Sequence, residues 1–151
     1  MILQEKTDQY FMKEALIEAY KAKDYDEVPV GAVIVCENQI IARAHNLMER
    51  LNDATAHAEM QAFTAAYDYL GSKYLNECTL YVTLEPCIMC AGASYWSKLK
   101  KIVFGAFDKK RGFSNHSNKI LHPKTTYVGG VLEKECSKIL LDFFARKREL
   151  N

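Results

Sequence analysis

The chain has 151 residues, which at about 150 residues per domain predicts one domain over 1–151, burying roughly two-thirds of its unfolded surface. Hydrophobic residues at 49% and charged residues at 26% are ordinary globular values and exclude a disordered, collagenous or coiled-coil chain. The net charge of +1 does not announce a nucleic-acid binder, but residues 76–151 carry thirteen basic and seven acidic side chains, against seven and twelve in residues 1–75. The longest stretch without Asp, Glu, Lys or Arg is the twelve residues Pro86–Ser97, short of the roughly eighteen needed to cross a membrane. Met1-Ile2-Leu3 gives way to Gln4-Glu5-Lys6-Thr7-Asp8 with no apolar leader, so a cytoplasmic location is expected. In that reducing compartment the five cysteines should be ligands or core filler, not disulfides.

The elements alternate along the chain. Met12, Ala15, Leu16 and Ala19 recur at helical spacing over residues 8–22, with Thr7 or Asp8 as N-cap and Glu14, Glu18 and Lys21 pointing away from the core. Val28–Cys36 and Gln39–Ala44, separated by Glu37-Asn38, read as a hairpin. The first of these strands is apolar on both faces, which implies layers on both sides of a sheet. A helix over 56–70 ends at Gly71, and a strand follows at Thr79–Leu84. Pro86 suits a first helical position, opening a helix over Cys87–Ser97 whose Ala91, Gly92 and Ala93 permit close packing. A strand at Lys101–Phe107, an irregular stretch, a strand at Thr125–Val128 and a helix carrying Leu132, Cys136, Ile139, Leu140 and Phe143 complete an α/β layered fold with a mixed sheet.

Chemistry concentrates at two helix starts, His57-Ala58-Glu59 and Pro86-Cys87-Ile88-Met89-Cys90. Cys87 and Cys90 are three residues apart and reach one ion from one helix face, and His57 completes a three-ligand set. Zinc accepts such ligands, and three from the protein leave a fourth position for water, the arrangement of catalytic sites. Helix N-termini aimed at the ion lower thiol pKa values. Glu59, within reach of the site only because both residues lie in the first turn, is read as a proton carrier and not as a ligand. Two plainer readings compete. One is a dithiol redox pair, and the other is a structural zinc knot with His45, Cys78 or His122 as fourth ligand. Cys36, Cys78 and Cys136 lie in apolar patterns and are expected to be core filler. His45, His116 and His122 have no evident partner, and Tyr95 and Trp96 are expected in core or interface packing.

The His-x-Glu and Pro-Cys-x-x-Cys pair is the signature of zinc nucleobase deaminases. Together with Glu27–Val33, Thr55–Glu59, Thr79–Ala93, Val103–Ala106, Asp108, and Asp142-Phe143-Phe144 followed by Arg146-Lys147-Arg148, it makes the chain resemble bacterial tRNA-specific adenosine deaminases over nearly its whole length. The resemblance implies a cytidine deaminase-like three-layer α/β/α sandwich with a mixed five-stranded sheet, a homodimer, and conversion of adenosine to inosine at the wobble position of a tRNA anticodon stem-loop, with no DNA partner. It makes His57, Cys87 and Cys90 ligands of one zinc per subunit and Glu59 the proton shuttle. It also places Asn46 against the base and Asp108 against the RNA backbone. Ser94–Ser97 is bulkier than in several members, and Lys109–Tyr127 matches weakly. Enzymes acting on free guanine or cytosine would share the zinc site. Against them stand Lys98, Lys100, Lys101, Lys109, Lys110 and Arg111, with Arg146, Lys147 and Arg148 on the last helix, since phosphate contacts need cations. A catalytically silent RNA-binding subunit would have no use for Glu59.

Overall fold

Thr7 starts the first helix, α1 (Asp8–Asp24), its hydroxyl accepting from the Tyr10 amide at 3.1 Å. This computed structural model describes residues 6–117 and 119–151, so the reading of Met1–Glu5 as no leader lies outside the described residues. Phe11, Met12, Ala15, Leu16 and Ala19 are buried as expected. Glu18 departs from expectation: it is 4% exposed, held under Lys21 at 2.8 Å and Arg43 at 3.7 Å, because α1 lies along the hairpin and brings Arg43 over it.

The hairpin consists of β1 (Gly31–Cys36) and β2 (Gln39–His45), with Glu37 and Asn38 both at positive φ, as a two-residue turn matched to strand twist requires. Val28–Val30, expected as strand, lies outside the ladder. Pro29 has no amide to donate there, and the Val30 amide turns back to the Val28 carbonyl at 2.9 Å. Gly31 opens β1 under α1, where a Cβ would sit 2.1 Å from the Ala15 carbonyl oxygen, so only a bare backbone permits this approach.

A short helix absent from the sequence reading, α2 (Met48–Leu51), precedes α3 (Ala58–Leu70), which ends at Gly71 with φ 61°. The chain continues through β3 (Cys78–Leu84), α4 (Ile88–Ser97), β4 (Lys101–Ala106), β5 (Thr126–Val128) and α5 (Glu133–Leu150). Strand order is β2-β1-β3-β4-β5, antiparallel through β3 and parallel from β3 to β5. Alternate residues of β1 feed two cores. Ala32 and Ile34 meet α3 and α4 on one face, while Val33 and Val35 meet α1 and α5 on the other. The result is the expected three-layer α/β/α sandwich with a mixed five-stranded sheet. No helix among the described residues is long and apolar enough to cross a membrane.

Candidate active site

Parallel pairing of β3 and β4 places the start of α4 at the carboxyl end of β3, the edge where open α/β sheets hold ligands. The helices α3 and α4 begin one or two residues later than the sequence suggested. His57 and Cys87 are therefore their N-caps, with extended backbones, and Pro86 stands before the cap instead of at the first helical position. Its carbonyl accepts from the Phe113 amide at 2.9 Å. Neither N-cap side chain turns back to its own helix, which leaves both aimed outward at a common point.

The ligand atoms of His57, Cys87 and Cys90 all lie within 4.8 Å of one another. His57 Nδ1 stands 3.6 Å from each sulfur. A tetrahedral zinc with bonds of about 2.3 Å to sulfur and 2.05 Å to nitrogen requires a nitrogen–sulfur edge of about 3.6 Å, so the donor set fits this metal. His45, Cys78 and His122 do not join the group. His45 stacks on Tyr25, Cys78 faces Cys36 across β1 and β3, and His122 accepts from the Lys124 amide. Among the described residues the donor group has three members, one short of the four of a structural knot.

The electrostatics are those of a poised nucleophile-generating site. The Cys87 thiol is pushed down to about 4, first by its hydrogen bond with Cys90 and then by His57, so this sulfur is a thiolate at neutral pH. The same bonds raise Cys90 and His57, and the Ala54 backbone adds a hydrogen bond to the imidazole. Glu59, in the first turn of α3, is 4% exposed, and burial pushes its carboxyl up to about 7. It lies against Cys90 without belonging to the ligand group.

Asn46 is 5% exposed; its Nδ2 donates to the Val28 carbonyl at 3.2 Å and its Oδ1 accepts from the Met48 amide at 3.2 Å. It also lines a cavity of about 530 Å³ that includes Tyr25, Asp26, Val28, Phe143 and Lys147. Asp108 is partly buried at the head of a turn, its Oδ1 accepting from the amides of Lys110 and Arg111 at 3.1 and 3.0 Å. Arg146 and Lys147, read from sequence as candidates for phosphate contact, both pair with Asp26. Trp96 is 78% exposed and is not core within this chain.

Two buried carboxylates were missed by the sequence reading. Glu27, 1% exposed, accepts from the amides of Glu49 and Arg50 at 2.9 and 2.8 Å and holds α2 beside Asn46. Glu85, 3% exposed, holds the Asp108 turn. The available signal was an acidic residue adjoining an apolar strand run at each place, Glu27-Val28 and Leu84-Glu85.

Fold and site together define a zinc-dependent deaminase. The chain matches the cytidine and deoxycytidylate deaminase zinc-binding region over residues 5–106. It is 48% identical to the tRNA-specific adenosine deaminase of Bacillus subtilis, covering 94% of this chain and 91% of that protein, and 47% identical to that of Aquifex aeolicus, covering 93% and 95%. A solved tRNA:A34 deaminase that performs A-to-I editing superposes with a TM-score of 0.81 at 39% identity, covering 87% of this chain and 99% of that one. A Bacillus subtilis guanine deaminase superposes with a TM-score of 0.65 at 38% identity, over 68% of this chain and 66% of that one. The chain belongs to the tRNA-specific adenosine deaminases of this zinc-binding family.

Proposed function

We propose that the protein hydrolytically deaminates adenosine to inosine at the wobble position of a tRNA anticodon, as a cytoplasmic homodimer with one zinc per subunit. The observation that carries this reading is the three-donor cluster with buried Glu59 beside it, in a chain that aligns with tRNA-specific adenosine deaminases almost end to end. The Bacillus subtilis guanine deaminase matches over only 68% of the chain, against 94% for the tRNA-specific adenosine deaminase of the same organism. A catalytically silent RNA-binding subunit would leave the Glu59 carboxyl without a purpose.

His57, Cys87 and Cys90 hold the metal. Zinc with three protein ligands supplies Lewis acidity and a fourth position for water, whose pKa it lowers. Glu59 holds a proton at its carboxyl and delivers it to the ring nitrogen adjoining the carbon that bears the amino group. The carboxylate then takes up the two protons of the attacking water one after the other, passing one to the amine so that ammonia leaves and keeping the other, which restores its starting state. Burial raises the proton affinity of this carboxyl, which suits it to hold and release a proton. Asn46 exchanges a backbone hydrogen bond for one to the flipped base. Asp108 meets the sugar-phosphate backbone, and Arg146 and Arg148 meet phosphates. Anticodon-loop bases are already single-stranded, so presenting the target costs little unpairing. Exposed Trp96 on α4 supports a partner surface for the second copy.

The test is ammonia and inosine formation on an anticodon stem-loop with a wobble adenosine, beside free adenosine, cytidine and guanine. Turnover of guanine without the stem-loop would overturn the substrate. Glu59→Ala is expected to keep zinc and lose turnover, and loss of zinc would make it a ligand instead. Replacing Arg146, Lys147 and Arg148 with Ala is expected to weaken RNA binding and flatten its salt dependence, and an unchanged slope would remove this helix from the phosphate contacts.

A further inference from the structure

Glu85 is a buried carboxylate to which the chemistry above gives no part, placed between the end of β3 and Cys87. Its Oε1 accepts from the Asp108 amide at 3.1 Å, and its Oε2 accepts from the Ser114 amide and hydroxyl at 3.0 and 2.6 Å. Asp108 and Ser114 are the two ends of a turn whose tip is Lys109, Lys110 and Arg111, all three exposed. Inside the turn the Asp108 carbonyl accepts from the Gly112 amide at 2.9 Å and from Asn115 Nδ2 at 2.7 Å. Gly112 lies flat on the Glu85 carboxylate, where a Cβ would be 2.3 Å from Oε1. Gly112 also bridges to Cys87. One carboxylate thus ties three consecutive cations to the segment that carries a metal ligand.

Closing a surface turn needs no buried charge, and removing a carboxylate from water is unfavourable unless its bonds are strong. Three donors converging on one ionised group give charge-assisted bonds that hold both ends of the turn at once. Cations on a turn fixed in this way lose less freedom when they meet a phosphate than cations on a free loop. We propose that Glu85 is a positioning residue for RNA: it aims the Lys109–Arg111 turn at backbone phosphates flanking the nucleotide that enters the zinc site. This rests on the tRNA reading above and adds to it a residue that touches no substrate atom.

The test uses the zinc-loaded full chain and the anticodon stem-loop, measuring kcat, KM and zinc content across a KCl series. Glu85→Gln replaces one acceptor oxygen with an amide NH2 facing donors, and so breaks at least one of the three bonds. The expected result is a KM raised about tenfold with kcat within about twofold, one zinc per chain, and a flatter dependence of log KM on log salt. Replacing Lys109, Lys110 and Arg111 together with Ala should flatten the slope by about 2, at roughly 0.7 per single-strand phosphate contact, and adding Glu85→Gln to that triple variant should flatten it no further. Ser114→Ala removes one of the bonds with Glu85 intact and should move KM in the same direction by a smaller factor. It decides the matter if Glu85→Gln fails to fold. Unchanged KM and slope in these variants would overturn the inference, as would loss of zinc or a fall in kcat at constant KM, which would make Glu85 a support of the metal centre. Failure of the unaltered protein to deaminate the stem-loop would overturn the substrate reading and this inference with it. Normal stem-loop turnover with indifferent variants would overturn the inference alone.

Discussion

Replacing Glu59 with Gln should separate proton transfer from stability, with opposite consequences. Burial pushes the Glu59 carboxyl from its ordinary 4.5 up to about 7, so the folded state binds this proton more tightly than the unfolded chain does. The stabilisation is therefore fully present below pH 4.5 and is lost as pH rises through 7. At 1.36 kcal/mol per tenfold change in proton affinity, the loss amounts to on the order of 3 kcal/mol by pH 8. Gln keeps the shape and carries no charge, so the metal-free Glu59→Gln protein should gain on the metal-free wild type as pH rises. In a protein of this length the advantage at pH 8 corresponds to about 6–12 °C in Tm. Chemical denaturation of both proteins at pH 5, 6, 7 and 8 measures the difference directly, and zinc-loaded Glu59→Gln should show no deamination. A stability difference independent of pH would refute the argument, because it would mean that the carboxylate is solvated or already paired in the fold.

Other expectations follow from particular contacts. Asp26→Asn releases Arg146 and Lys147, so stem-loop binding followed by fluorescence anisotropy should tighten at low salt, and its salt slope should steepen by about 1.4 for two added single-strand contacts. An unchanged slope would show that neither cation reaches RNA. Gly31→Ala forces a methyl against the Ala15 carbonyl and the Ala19 amide, and should destabilise the fold by about 1–3 kcal/mol in urea melts. A neutral result would mean that α1 can lift from β1 freely. For the proposed homodimer, Trp96→Asp should lower the mass seen by sedimentation to that of one chain, since this ring is 78% exposed on α4. A persistent dimer would place the interface elsewhere.

The hairpin, the alternation of helices and strands, the two-faced burial of β1 and the His57, Cys87 and Cys90 set were all legible in the sequence. The elements depend on short-range periodicity and the Cys87–Cys90 pair on a spacing within one turn of helix, which residue order specifies directly, while His57 joined them through the deaminase signature. Boundaries were less legible. Helix α2 is four residues long and owes its start to Glu27, more than twenty positions earlier, so no local window contains its cause. Glu18 is polar by composition and buried by circumstance, because Arg43 arrives over it from β2. Cys78 could be weighed as a fourth zinc ligand until pairing of β1 with β3 set it opposite Cys36.

Residue order by itself determined which atoms could bind zinc and which carboxyl could carry a proton, because those properties belong to side chains and their immediate neighbours. Tertiary structure alone decided how those groups are tuned and what surrounds them. Burial raised Glu59, hydrogen bonds from Cys90 and then His57 lowered Cys87, and Asp26 claimed two cations from the last helix. Glu85 joined the metal-ligand segment to the Asp108 turn. Desolvation and pairing depend on distances between residues remote in sequence, and those distances exist only once the sheet has assembled.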